Sequence, residues 1–157
     1  MWEGVIEYRI GSSGQVLVFE EAVIEHFRRY RQRRWYQREA GGQLFARFNG
    51  FCILIEEATG PRRTDRRTRS SYIPDRKAEQ IEIFERHACG LHYIGDWHSH
   101  PEMFPRPSSL DAHSIAECVK KSQHLLNAFV LVIVGQAEAP TGMHVSLHNG
   151  AEVFTLV

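Results

Sequence analysis

His98 and His100 stand two apart in the stretch GDWHSHPEMFPRPSSLDAHS (95–114), and Asp111 follows them. Side chains alternate across a β-strand, so histidines at i and i+2 leave the same face. The run before them, LHYIGDW, is strand-like, which brings both imidazoles to one strand end. Pro101 stops ladder pairing and turns the chain. Asp111 then falls in the first turn of a helix read over 108–123. Two histidines and a carboxylate are a usual ligand set for a catalytic zinc, whose fourth position stays open to water. A strand end and a helix start are rigid supports for such a set.

The same residues have plainer readings. With 9 histidines in the chain, an HxH pair also arises by chance. Ser108 followed by Asp111 fits an [ST]xx[DE] pattern close to a capping box. A hydrolytic site further needs a base to hold water and return a proton to the leaving amine. Glu39, Glu56, Glu57 and Glu102 all qualify by type. Glu102 follows the proline bend away from the histidines, and Glu56 and Glu57 read equally well as exposed strand positions. The residues alone leave that choice open. His113 sits about 200° from Asp111 on a helix turning about 100° per residue, so it is not counted as a ligand. Trp97 alternates away from His98 and reads as core. The GSSG at 11–14 lacks a strand–elbow–helix context for a serine nucleophile. The Pro-Cys-x-x-Cys of zinc deaminases is absent.

The elements that must carry these residues follow from periodicity. GVIEYRI (4–10) and QVLVF (15–19) read as a hairpin, and 20–32 as a helix with Val23, Ile24, Phe27 and Tyr30 on one stripe. Two strands within 41–60 turn at Asn49-Gly50. Residues 60–71 read as a surface loop. SYIPDRKAEQIEIFERHAC (71–89) opens on a short strand, and a helix starts near Pro74, with Ala78, Ile81, Phe84 and Ala88 expected on its inner face. The histidine strand, the 108–123 helix, a buried strand over 127–135 and a hairpin turning at Asn149-Gly150 complete the order. Mixed strands and helices predict an α/β (α+β) fold, one mixed sheet flanked by helices, in a single domain spanning 1–157.

Composition narrows the function. At 157 residues and 43% apolar, the chain can bury one core. Lys and Arg total 19, Asp and Glu 19, so no net charge draws the chain to nucleic acid or an anionic membrane. The arginine runs at 28–34 and 62–69 read as solvated faces, and 62–69 is placed to steer an acidic partner. Cysteines at 52, 89 and 118 make no CxxC, which argues against a disulfide framework and fits a reducing cytoplasm. The N-terminus lacks the apolar core of a signal peptide, and no apolar run reaches the ~20 residues of a membrane span.

The order His98-Ser-His100-Pro, then Ser108-x-x-Asp111, resembles the JAMM signature of the JAB/MPN metalloprotease family. The upstream EAGGQLFA (39–46) is similar to that family's glutamate segment, with Glu39, Gly42 and Leu44 matching and Ala46 in place of a glycine. The resemblance covers roughly residues 15–150. It implies a JAB/MPN fold like that of cytidine deaminases, with zinc on His98, His100 and Asp111. It also assigns Glu39 as general base and Ser108 as oxyanion donor. The implied reaction is hydrolysis of an amide or isopeptide bond at the C-terminal tail of a ubiquitin-like or conjugated protein. A small-molecule amidase, a thiocarboxylate-processing hydrolase and a non-catalytic MPN scaffold are the alternatives. With GPRRTDRRTRSSY (60–72) before its middle helix, the chain looks like the stand-alone JAB peptidases found beside cyclic-nucleotide synthases in antiphage operons.

Overall fold

A computed structural model describes residues 5–106 and 128–156. The 108–123 helix, and with it Ser108 and Asp111, lies outside the described residues.

The N-terminal hairpin pairs β1 (Ile6–Arg9) with β2 (Val16–Phe19), Ile6 opposite Phe19 and Arg9 opposite Val16. Helix α1 (Glu21–Arg29) buries Val23, Ile24 and Phe27 of the predicted stripe, with Tyr30 half-buried at its C-cap. It ends before 32 because the Tyr30 N–H turns back to the Phe27 carbonyl. The chain is then needed for another task, in which Gln32 is fully buried. Strands β3 (Gly41–Asn49) and β4 (Cys52–Ala58) form an antiparallel pair turning through Gly50, whose φ of 59° suits a residue without Cβ. Strand β4 pairs β2 in parallel, and the free side of β3 takes β7 (His92–Ser99) antiparallel. Strand β7 then pairs β8 (Phe129–Val134) in parallel, followed antiparallel by β9 (Met143–His148) and β10 (Val153–Leu156). The described sheet has eight strands in the order β1-β2-β4-β3-β7-β8-β9-β10. The mixed sheet with packed helices is the predicted fold class, and β3, β7 and β8 are its middle.

One face of the sheet packs on α1. Leu17, Phe19, Leu44, Ile55, Ile94, Trp97, Val130 and Val132 are buried there with Phe27. This apolar burial, at roughly 25 cal/mol per Å² removed from water, is what keeps the central strands in register. Gly42 is fixed by close approach, since a Cβ there would lie 1.7 Å from the Thr59 carbonyl oxygen.

Two expectations need correction. The stretch 60–71, read as a surface loop, carries a strand of its own. A short pair, β5 (Arg66–Arg67) and β6 (Tyr72–Ile73), closes it, β6 being the short strand read before Pro74. The Asp65 carboxylate ties its ends, accepting from the Arg62 N–H (2.7 Å), the Tyr72 hydroxyl (2.7 Å) and the Asp75 N–H (2.8 Å). Helix α2 (Arg76–Ala88) is capped by Asp75, whose Oδ1 accepts from the Lys77 and Ala78 N–H groups. Its inner face is also not the one predicted, for Ile81 and Phe84 are 58% and 80% exposed and Glu79 is the buried residue. The sheet surface beneath α2 is partly polar and selects the helix face that can answer it. Arg86 donates to Glu57 at 2.7 Å and lies over the Phe45 ring, and Glu82 accepts from Thr59 at 2.8 Å and from Arg62.

Candidate metal centre

The end of β7 lies between β3 and β8. His98 is opposite Gly41 on one side and Ile133 on the other. The His100 N–H donates to the Val134 carbonyl (2.9 Å), which carries the ladder past the end of the strand. Both imidazoles leave on one side, as the spacing predicts, with their Nε2 atoms 3.2 Å apart and the residues 91% buried.

Ser99, between them, points the other way and anchors the strand end. Its hydroxyl donates to Gln32 Oε1 at 2.7 Å and accepts the Ala40 N–H at 2.9 Å. Its backbone N–H donates to the Ala40 carbonyl at 2.8 Å. Gln32 in turn donates to the Arg69 carbonyl at 2.8 Å, and its own carbonyl accepts from Gln136. The segment carrying Glu39 is therefore bolted to the serine between the histidines. Glu39 is held on its other side too: its N–H donates to the Thr68 carbonyl at 2.7 Å and its carbonyl accepts from Arg67 at 2.8 Å.

Glu39, His98 and His100 are all buried, and one ligand atom from each lies within 4.8 Å of the others. Zinc–nitrogen bonds of about 2.0–2.1 Å in tetrahedral geometry place two histidine nitrogens about 3.3 Å apart. The observed 3.2 Å fits that spacing, and two imidazoles with a carboxylate nearby are zinc's kind of donor.

The structure also separates the four carboxylates that residue type left equivalent. Glu56 pairs with Arg47 at 3.0 Å, and Glu57 is tied to Arg86. Glu102 is 3.7 Å from Nδ1 of His100, on the opposite side of the ring from the Nε2 that faces His98. Only Glu39 of the four joins the histidine group. Trp97 is core, 1% exposed, with its indole donating to the Thr59 carbonyl at 2.8 Å and its ring 5.2 Å from Phe27.

Sequence reasoning gave no role to two carboxyls, Asp96 and Glu79. Asp96 accepts from the Tyr93 hydroxyl at 2.7 Å, and burial pushes its pKa up. Glu79 is pushed up to about 7, first by burial and then by the Asp96 charge. Asp96 shares the strand period of His98 and was findable from it. Gln32 has no sequence signal, because a polar residue after a helix is ordinarily exposed.

Residues 20–148 match the family described as prokaryotic homologs of the JAB domain. The chain belongs to that family. Among relatives of this JAB domain is a "CD-NTase/cGAS isopeptidase" of Pseudomonas aeruginosa, 35% identical over 101 residues, covering 61% of this chain and 63% of the relative. A protein of the same name from Vibrio cholerae is 32% identical over 121 residues, 74% of each chain. A "Probable metalloprotease y4qB" of Sinorhizobium fredii is 34% identical over 73 residues, 43% of this chain and 44% of that one. The solution structure of protein DSY2949 from Desulfitobacterium hafniense superposes with a TM-score of 0.57 at 20% identity, over 84% of this chain and 81% of that one. It shares the fold of this JAB domain. No helix among the described residues is long and apolar enough to cross a membrane.

Proposed function

We propose that this JAB domain is a zinc-dependent isopeptidase that hydrolyses an amide or isopeptide bond at the C-terminal tail of a ubiquitin-like or conjugated protein. The observation that carries the reading is the pair of Nε2 atoms 3.2 Å apart with Glu39 beside them. The isopeptidase and metalloprotease names of the relatives support it, and the "CD-NTase/cGAS isopeptidase" name supports extending the proposal to a conjugate of a CD-NTase or cGAS-like enzyme as substrate. A cytoplasmic antiphage setting belongs to the same proposal.

His98 and His100 would hold the metal, with Asp111 as the third ligand of the family pattern. When bound, zinc supplies a water that ionises near neutral pH and a Lewis acid for the scissile carbonyl. Glu39 takes the proton of the attacking water and passes it to the leaving nitrogen as the C–O bond forms and the C–N bond breaks. The Ser108 hydroxyl donates to the oxygen on which charge develops. The buried walls around Glu39 and the histidines limit competing water.

The test is a CD-NTase-like protein joined through its C-terminal carboxyl to a lysine of a carrier protein, followed by mass spectrometry. Zinc-loaded enzyme should release the CD-NTase with a free carboxylate, and His98→Ala with His100→Ala should lose both zinc and cleavage. Full zinc content in the double variant would sink the ligand assignment. No release by zinc-loaded wild type would sink the isopeptidase reading.

A further inference from the structure

Two arginine-rich segments far apart in sequence lie side by side next to Glu39. Residues 28–38 and 66–73 together contain no aspartate or glutamate. The Glu39 N–H bonds the Thr68 carbonyl and Arg67 bonds the Glu39 carbonyl. Arg69 donates to the carbonyls of Arg34 and Trp35. Several arginines of these runs are used internally: Arg28 and Arg31 pair with Glu138, and Arg67 and Arg69 hold backbone carbonyls. Arg33, Arg34, Arg38 and Arg66 are exposed, and among the described residues no carboxylate pairs with them. Burial, and then the neighbouring Arg38 charge, lower the pKa of Arg67, so the two segments share one positive field.

On this strip stand Trp35 and Tyr36, 79% and 62% exposed, their rings in edge contact at 5.9 Å. The two adjacent rings form a contiguous apolar patch, unlike a singly exposed side chain, and such patches mark interaction surfaces. Arginines around a tryptophan and a tyrosine are the composition of a binding hot spot.

We infer that Arg33, Arg34, Trp35, Tyr36, Arg38 and Arg66 form a docking strip for an acidic segment of the protein substrate, one that also carries an apolar side chain, flanking the bond to be cut. This rests on the isopeptidase reading for the identity of the partner. The positive strip, with no acid of its own and ending at Glu39, complements a chain of carboxylates. The aromatic pair supplies the apolar seat. Single-stranded nucleic acid also stacks on aromatics among arginines, but the strip leads to a buried site whose relatives cut amide bonds, and the chain has no net positive charge.

The experiment measures binding on the full chain carrying Glu39→Gln, so that it does not depend on turnover. The probes are three fluorescein-labelled oligomers: a 12-residue peptide of Asp and Glu around one Leu-Leu pair, the same length of Gly and Ser, and a 12-nucleotide oligo-dT. The acidic peptide should bind, weaken with salt, and lose at least about tenfold in affinity with either Arg33→Glu plus Arg34→Glu or Trp35→Ala. Arg9→Glu plus Lys77→Glu makes the same change in net charge at exposed positions elsewhere and should lose less than about threefold. Equal loss in the two charge pairs, equal binding of the Gly-Ser peptide, or binding of oligo-dT in preference to the acidic peptide each overturns the strip. Peptide binding as predicted by an enzyme that cleaves no conjugate leaves the strip standing and removes the isopeptidase reading instead.

Discussion

Glu39 is one of four carboxylates that residue type left equivalent, and it alone lies with the histidine nitrogens. Replacing it with Gln keeps the size and the backbone contacts to Thr68 and Arg67 while removing the carboxylate proposed as base. Glu39→Gln should retain the fold and bound zinc yet lose about 10²–10⁴ in turnover. Metal analysis and kinetics on one preparation check this, and turnover within a few-fold of wild type would move the role elsewhere. Ser108 has two candidate jobs, cap and oxyanion donor. Ser108→Ala should cost about 0.5–2 kcal/mol of stability and on the order of 10²–10³ in kcat. Ser108→Asp can cap but cannot donate when ionised, so it should restore Tm and not rate. A fast Ser108→Asp enzyme would leave the metal alone to hold the developing charge.

At the scale of elements, the strand end and the Glu39 segment are joined through one serine hydroxyl. Removing it strands the Ala40 N–H and the Gln32 amide in a buried setting, each at a cost of about 1–3 kcal/mol. Ser99→Ala should therefore lower stability and weaken zinc binding, although Ser99 points away from the metal group. Gln32→Ala should do the same, and the double variant should lose less than the sum, because both act on one network. Strict additivity in denaturant melts would show that the two residues act separately. The arginine segment 62–69 divides in a similar way. Arg62 is half-buried against Glu82 and Asp65, and its pairs with them hold that loop together. Burial resists the Asp65 charge, but the Arg62 and Asp75 N–H groups, the Tyr72 hydroxyl and the Arg62 guanidinium hold its carboxyl below the usual range. Arg62→Ser should cost about 3–5 kcal/mol, the penalty for breaking a buried pair. Arg63→Ser, at an exposed position, should stay within about 0.5 kcal/mol. Steering of a partner by 62–69 must then come from Arg63 and Arg66, not from Arg62.

Over the whole molecule, acid should loosen the fold through His26, His144 and His148. Burial lowers the pKa of His26, His144 and His148, and the charge of His144 adds to the effect at His148. A folded-state pKa below 6.5 means that the unfolded chain takes up protons first as pH falls. The stability is complete above about pH 6.5 and is lost as pH drops toward the folded values. Metal-free protein should show a falling Tm between pH 7 and pH 5. His144→Leu should flatten that fall, since the buried His144 Nε2 has no hydrogen-bond partner among the described residues. An unchanged slope in the variant would place the acid sensitivity on other groups.

The sequence by itself determined the period-two placement of His98 and His100, the apolar stripe of α1, the turns at Gly50 and Asn149, and the order of the described strands and helices apart from β5. These are local properties: alternation, helical spacing and turn chemistry act over a few residues and are written in adjacent positions. Trp97 was legible as core for the same reason. The tertiary structure decided what depends on contacts across the sheet. It placed Glu39, and not Glu56, Glu57 or Glu102, with the paired histidines, because reach to their facing nitrogens is a distance between β7 and the start of β3. It turned α2 so that Glu79, Glu82 and Arg86 face inward, because the polar surface of β3 and β4 beneath the helix outweighed the helix's own apolar spacing. It made Gln32 a buried tether, and it brought residues 28–38 against 66–73. Each of these joins residues tens of positions apart, and no local pattern records which distant group will be there to meet them.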